Sequence, residues 1–365
     1  MIGLILAVTA AVVLGLTYGS GDAPPDERPE EPTISDDIVV IGHRGASGYR
    51  PENTLAAYEL AIEMGADYVE LDLVSTGDGV LVVRHENELS QTTDVGARPE
   101  FADRRTTKLV DGLTVDGWFT EDFTLSEIQT LRVVERFPDV RPANAAYDGE
   151  FQIPTLEEVL DLAVASGVGI YPEIKHATYF DSIGLSPEEP LVAALQSRGL
   201  TDPDDKVFIQ SFETANLREL DRLIDVRLVQ LILEAGLPYD VADSGEGLSY
   251  ADMVTPSGLR EIATYADGIG PDKDLVIPLD GLGSLGDSTT LVEDAHDAGL
   301  LVHPYTFRVE NEFLPMDLRS SDEPAEPGDL AAEMTEFLSL GVDGLITDNP
   351  DIAVAVRAEV EAAGD

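Results

Sequence analysis

Residues 68–85 read YVELDLVSTGDGVLVVRH, and the architecture of the chain can be worked out from them. Tyr68–Leu73 is an apolar run of strand length that nevertheless carries Glu70 and Asp72 one residue apart; on a strand that spacing puts both side chains on one face. A second apolar run, Val80–Arg84, follows after only Ser75–Gly79. Those five residues cannot hold a crossover helix, so the second run must return as a hairpin and not as a parallel neighbour. A hairpin centred on Asp78 sets Leu71 opposite His85 and brings His85 to the level of the two acids.

Outward from this stretch, short apolar runs alternate with helix-period segments, the pattern of a parallel α/β fold. Strands are predicted at Ile38–Gly42, Tyr68–Leu73, Gly169–Ile174, Val207–Gln210, Arg227–Leu233, Gly268–Gly270, Leu301–Tyr305 and Gly344–Thr347. Eight strands in one domain, taken as residues 38–360, predict a (β/α)8 TIM barrel, with an open doubly wound sheet as the alternative. Helix starts are signalled at Asn53 or Thr54, and where Thr155 and Ser186 each stand three residues before a glutamate. Residues 88–152 lack the strand–helix rhythm and hold the only tryptophan, Trp118; they read as a small lobe inserted after the hairpin, with one helix after Thr124.

Composition narrows the function. With 22 Lys+Arg against 71 Asp+Glu the net charge is −49, which repels nucleic acid and anionic membranes and suits a salty surrounding, where screening shortens self-repulsion. Any phosphate site must therefore carry its own cations. The chain has no cysteine, which excludes disulfides, thiolate metal sites and a thiol nucleophile. Ile2–Leu16 is apolar and uncharged, so residues 1–20 are expected to be an export signal or N-terminal anchor, the alternatives being a misassigned start or a buried helix. Residues 21–37 are acidic and Pro-rich, an extended linker. The expected location is outside the cytoplasm, secreted or anchored at the cell surface, with membrane contact only through the N-terminal segment.

Of five histidines, His43, His85, His176 and His303 fall at or just after predicted strand ends, the active rim of a barrel; His296 falls in a helical stretch and reads as a surface residue. Glycines flank His43-Arg44 and allow a sharp turn and close approach of a ligand, and Arg44 can hold a phosphate oxygen. Glu52 reads equally as a metal ligand, a residue behind the ligands or a plain loop acid. Glu70 and Asp72 on an inner barrel face would repel one another and lose hydration. Few cations lie near them in sequence, so a bound divalent cation is the expected remedy. Glu173 ends the neighbouring strand as a third acid, and oxygen ligands favour Ca2+ or Mg2+. Lys175 points to the same side and supplies a charge for phosphate.

The combination of His43-Arg-Gly-Ala-Ser-Gly-Tyr49, Pro51-Glu-Asn-Thr54, Val69-Glu-Leu-Asp72, Val82-Val-Arg-His85, Gly169-Ile-Tyr-Pro-Glu-Ile-Lys175, Tyr265-Ala-Asp-Gly-Ile-Gly-Pro-Asp272, Val302-His-Pro-Tyr-Thr306 and Gly344-Leu-Ile-Thr-Asp348 resembles the glycerophosphodiester phosphodiesterase family, in its periplasmic, calcium-using type. The resemblance implies hydrolysis of small glycerophosphodiesters, with His43 and His85 as the acid–base pair and Glu70, Asp72 and Glu173 as the metal ligands. It likewise implies Arg44 and Lys175 on the phosphate, and Gln210, Phe212 and Tyr305 at the glycerol end. One departure is Glu86, where the family usually has Asp after the second histidine. A lysophospholipase D or sphingomyelinase D-like enzyme would need an apolar groove, whereas the segments Ile269–Lys273 and His303–Arg308 read as polar. An inactive binding protein would have lost a histidine or a metal acid, and none is lost.

Overall fold

The computed structural model describes residues 38–364; the N-terminal apolar run and the linker lie outside the described residues. The strands are β1 (Val39–Gly42), β2 (Tyr68–Ser75), β3 (Leu81–Val83), β4 (Thr106–Val110), β5 (Leu113–Gly117), β6 (Gly169–Ile174), β7 (Phe208–Ser211), β8 (Arg227–Ile232), β9 (Gly268–Pro271), β10 (Leu301–Val302) and β11 (Gly344–Thr347). Eight of them run parallel in the order β11-β1-β2-β6-β7-β8-β9-β10. The ring is completed beyond the regular ladder: the Asp343 N–H donates to Val302 O at 3.0 Å and the Ile346 N–H to Pro304 O at 3.2 Å. This is the (β/α)8 barrel, and the open-sheet alternative is set aside. Among the described residues no helix is long and apolar enough to cross a membrane.

β3 returns antiparallel on β2, with Leu73 opposite Val83 and Ser75 opposite Leu81. The Arg84 N–H donates to Asp72 O at 2.9 Å, so His85 does emerge level with the acids of β2. The helix at 55–63 is capped by Thr54, whose Oγ1 accepts from the Ala57 N–H at 3.2 Å. Thr155 and Glu158 form the reciprocal cap predicted for the helix at 156–166. Ser186 does not cap. Pro187 already holds the boundary position of the helix at 188–197, which leaves Ser186 one residue too far out, and its hydroxyl donates to the Glu188 and Glu189 carboxylates.

Inside the barrel, alternate residues of each strand face inward. The lower level is apolar and aromatic: Ile41, Tyr68, Tyr171, Phe208, Val229 and Ile346 form one buried cluster. Tyr171 and Phe208 stack at 5.0 Å, and Tyr68 meets Phe208 edge-on at 5.3 Å. His303 belongs to this plug and not to the rim where the sequence reading put it. It is 1% exposed, and its Nδ1 lies 2.9 Å from the Tyr171 hydroxyl. The regular part of β10 is only two residues long, so His303 sits a level below the mouth and Tyr305 is the first rim residue of that strand. Above the plug, the same strands carry Glu70, Asp72, Glu173 and Gln210, with Lys175 just past the end of β6, all buried.

Residues 88–152 form the lobe, built on the β4–β5 hairpin, short helical turns and the helix at 125–128, the one predicted after Thr124, which starts in a capping box of Thr124 and Glu127. Val95, Phe101, Trp118, Phe123, Ile128 and Leu131 pack with Val74 and Val82 of the β2–β3 hairpin. Apolar burial thus seats the lobe on the strand pair that carries Glu70, Asp72 and His85.

Burial pushes the His303 imidazole down to about 4, so it is neutral near pH 7 and depends on Tyr171 for its one side-chain hydrogen bond. Tyr171→Phe should cost about 1–3 kcal/mol in urea unfolding, the penalty of an orphaned buried polar group, and adding His303→Phe should recover part of it. A midpoint unchanged in the single variant would mean that the ring finds water instead.

Candidate active site

The upper level of the barrel is a cluster of charge. Glu70 and Asp72 of β2 and Glu173 of β6 offer oxygens within 4.8 Å of one another, as expected from strand register: Asp72 lies beside Glu173 in the β2–β6 ladder. The expectation that few cations lie near is corrected by the structure. Lys175 Nζ sits 2.6 Å from Glu173 Oε1 and 3.2 Å from Asp72 Oδ1, and Arg44 Nε sits 3.2 Å from Asp72 Oδ2. Lys175, already placed on the side of Glu173, reaches Asp72 across the β2–β6 pair, whereas sequence distance hid Arg44, which belongs to a loop that folds back.

That loop is forced into place. Arg44 and Asn53 adopt positive φ of 54° and 56°, and Gly45 one of 84°; a Cβ on Gly45 would lie 2.5 Å from the Ala57 backbone. The turn aims the Arg44 N–H at Glu70 Oε2, 2.7 Å away, while Asn53 Nδ2 donates to Asp72 Oδ2 at 2.8 Å. Gln210 Nε2 donates to Glu70 Oε1 at 3.1 Å.

Both histidines are held the same way. His43 Nδ1 is 2.6 Å from Asp348 Oδ1, and His85 Nδ1 is 2.6 Å from Glu86 Oε1. Each carboxylate fixes the tautomer and orientation of its ring and leaves Nε2 for the cavity that both rings line. Behind them stand arginines from the lobe. Arg136 bonds both oxygens of Glu86 at 2.8 Å and both oxygens of Glu52 at 2.7 Å. Arg141 bonds Asp348 Oδ2 at 2.6 Å and Glu310 Oε1 at 2.6 Å, and Arg308 reaches Asp348 Oδ2 at 2.9 Å. Glu52, left open above, is thus a residue behind the ligands: it joins Arg136 to Arg44 and does not face the acid cluster.

The shared cavity has a volume of about 820 Å3 and is walled by His43, Arg44, Glu70, His85, Glu173, Lys175 and Gln210 on one side. Phe212 and Tyr305 stand beside Lys175, their rings 6.0 Å apart at 90°, with Lys175 Nζ 5.7 Å from the Phe212 centroid. His176 lines the same space and is held by Asp111 of the lobe hairpin at 2.5 Å. The wall is not polar throughout, as the rim was expected to be: Leu113, Leu231, Leu233 and Leu237 also line the cavity.

A search for known relatives converges on one group. The model of the glycerophosphoryl diester phosphodiesterase family matches residues 43–352. The chain belongs to that family. It is 36% identical to a glycerophosphodiester phosphodiesterase of Arabidopsis thaliana over 84% of this chain and 82% of that one. It is 33% identical to one of Bacillus subtilis over 88% and 87%. Its fold is similar to a solved structure from Silicibacter pomeroyi, with a TM-score of 0.63, 24% identity and coverage of 89% and 94%. It is also similar to an Oleispira antarctica phosphodiesterase in complex with the product sn-glycerol-3-phosphate, with a TM-score of 0.56, 21% identity and coverage of 87% and 96%. The enzyme class, hydrolysis of glycerophosphodiesters, and a small-molecule substrate follow from this membership.

The family's reaction needs charge and proton chemistry, and electrostatics suits the site to both. Burial lowers the pKa of each imidazole to about 4, and the Arg44 charge adds to the effect. Burial pushes the Glu70 carboxyl well up, helped by Asp72 and Glu173, and pushes Glu173 to about 7. Asp72 is buried as well, but Lys175 and Arg44 hold it below the ordinary carboxylate range. Three carboxylates face two cations here: Lys175 pairs with both Asp72 Oδ1 and Glu173 Oε1, and Gln210 Oε1 is buried without accepting a hydrogen bond. A hard divalent ion with oxygen ligands fits that donor set.

The sequence reading missed Asp348, Arg136 and Arg141. Asp348 could have been found, because it continues the inward alternation of β11 past Ile346. The arginines could not, because the lobe around them has no periodicity from which to place them. Since protons on Glu70 and Glu173 compete with a cation, Ca2+ affinity should rise as pH increases through about 7, and binding should release protons. Calorimetry in two buffers of different ionisation enthalpy measures that release directly.

Proposed function

We propose that this glycerophosphodiester phosphodiesterase works with a divalent cation, Ca2+ in the first instance, by His43/His85 acid–base catalysis through a cyclic phosphate, and acts outside the cytoplasm. The observation that carries the catalytic reading is the pairing of two carboxylate-oriented imidazoles with the Glu70–Asp72–Glu173 cluster in one cavity. Bound to those acids, the cation supplies positive charge to the phosphodiester oxygens as negative charge develops on them.

The protein's own residues do the rest. Arg44 and Lys175 hold the phosphate, against a whole-molecule charge of −49 that would otherwise repel it. Gln210, Phe212 and Tyr305 line the glycerol end. One imidazole takes the proton of the glycerol 2-hydroxyl as its oxygen attacks phosphorus; the other gives a proton to the departing alcohol oxygen as that P–O bond breaks. With the alcohol gone, water then opens the cyclic phosphate with the two roles exchanged, breaking the bond from phosphorus to the glycerol 2-oxygen and giving sn-glycerol 3-phosphate. An imidazole held near 4 becomes a usable acid once the anionic diester lies beside it, because a neighbouring negative charge raises its pKa.

The export reading rests on the apolar run Ile2–Leu16 and the acidic linker 21–37, with the high negative charge suited to a salty medium. Intact mass of the protein recovered from culture medium and from membranes would place it and locate any cleavage near residue 20.

One observation favours a second reading on the same site. Leu113, Leu233 and Leu237 line the cavity and are 69%, 40% and 50% exposed, an apolar wall that could take the acyl chain of a lysophospholipid. Comparing turnover of glycerophosphocholine with that of lysophosphatidylcholine separates the two; a kcat/KM higher on the lysophospholipid would favour the second.

His43→Ala and His85→Ala should each lower kcat on glycerophosphocholine by about 10²–10⁴-fold with the unfolding midpoint near that of the parent, and a chelator should abolish turnover that Ca2+ restores. Near-parental rates in either alanine variant would remove that histidine from the chemistry.

A further inference from the structure

We propose that the lobe's two arginines, Arg136 and Arg141, are positioning residues of the reaction: each clamps the carboxylate that orients one of the two imidazoles. The chain thereby builds its active site from two parts of one compact unit, with the acids and histidines on the barrel and their clamps on the lobe.

The need for a clamp is plainest at His85. Glu86 has one more rotatable bond than an aspartate, so left alone it could swing its carboxylate away from Nδ1 at little cost. Arg136 removes that freedom. Its fork takes both Glu86 oxygens at 2.8 Å, and its other edge takes both Glu52 oxygens at 2.7 Å. Two parallel charge-assisted hydrogen bonds on each side fix the orientation of both carboxylates, which a lysine's point charge would not. The chain of contacts runs on from Glu52 to Arg44, whose Nη1 lies 3.1 Å from both Glu52 oxygens, and from Arg44 Nε to Asp72 at 3.2 Å. His85 is therefore tied through Arg136 to the acid cluster.

At His43 the arrangement is parallel but independent. Arg141 is 5% exposed by side chain and joins Asp348 Oδ2 to both oxygens of Glu310, at 2.6 Å and 3.2 Å, with its Nη1 donating to the Ser47 carbonyl at 3.0 Å. Asp348 is left with one oxygen for His43 and one shared by Arg141 and Arg308. Arg136 and Arg141 are five residues apart in the lobe and serve different imidazoles, so their losses should be distinguishable.

The inference rests on the acid–base reading above, and the test separates the two. Arg136→Gln and Arg141→Gln are assayed on glycerophosphocholine and on a glycerophosphodiester whose leaving alcohol is 4-nitrophenol, the latter by single-turnover release of nitrophenol. Aryl alcohols leave without protonation, so a misplaced general acid does not slow them, whereas a misplaced general base slows both substrates. The expected result is a kcat loss of about 10²-fold for each variant on glycerophosphocholine, with KM changed by less than about threefold. On the aryl substrate one variant should recover and the other should not. Ca2+ affinity should stay within about twofold. For Arg136→Ala, added guanidinium should restore part of the rate, and ammonium should not. Should Arg141→Gln fail to fold by urea melt, Arg141→Lys takes its place in the comparison with Arg136→Gln, whose parent side chain is 14% exposed. Losses below threefold while His43→Ala and His85→Ala are inactive would overturn the inference and leave the function reading intact. Equal losses on both substrates in both variants, or a loss of Ca2+ affinity in step with rate, would reduce the arginines to structural ties and overturn it as well. Activity surviving in the histidine variants would instead sink the reading on which the inference stands.

Discussion

Glu70, Asp72 and Glu173 crowd three carboxylates within 4.8 Å of one another inside a closed barrel. At an effective dielectric of ~20, each like-charged pair at that distance costs roughly 3–4 kcal/mol, before the loss of hydration is counted. Most of what is unusual in this structure answers that repulsion. Lys175 and Arg44 reach in from the next strand and from a strained loop, Gln210 and Asn53 donate hydrogen bonds, and Glu70 and Glu173 hold on to protons at pH values where carboxylates normally lose them. Gln210 Oε1 is still left buried without a partner, and the three acids with it form an oxygen-donor set that a hard cation would take.

The same constraint explains how scarce positive charge is used. The chain has only 22 Lys and Arg, yet Arg44, Arg136, Arg141, Lys175 and Arg308 all gather at the barrel mouth and pair with its acids. An acidic protein that binds a phosphodiester has to focus its cations where the anion sits. Two of these come from the lobe, which turns a segment with no regular rhythm into part of the site. The lobe's apolar packing on Val74 and Val82 and its Arg136–Glu86 pair both act on the β2–β3 hairpin and the residues that follow it, while Arg141 ties the lobe to Asp348.

The barrel separates these tasks by level. Aromatic rings fill the lower interior, where Tyr171, Phe208 and His303 exclude water, and the charged residues occupy the level above. A closely packed floor holds the strand ends at fixed spacing, so that the 2.6 Å hydrogen bonds to His43 and His85 can be kept without local adjustment. His303 shows how close the two roles lie: it follows a strand on the same alternation as the rim residues and ends one level too low to take part.

Periodicity and short-range chain geometry alone were enough to determine the eight strands, the hairpin that returns His85 to Glu70, and the placing of Glu70, Asp72 and Glu173 on one face, because strand alternation and the minimum length of a crossover are local rules. The resemblance carried by the motifs added roles for His43, His85, Arg44 and Lys175. Only the tertiary structure decided which cations meet which acids, that Glu52 serves as a bridge, that His303 is core, and that the lobe supplies Arg136 and Arg141. Each of these depends on contacts between segments from 8 to more than 200 residues apart, whose directions are set by loop conformation and lobe packing, and no repeat in the sequence encodes them.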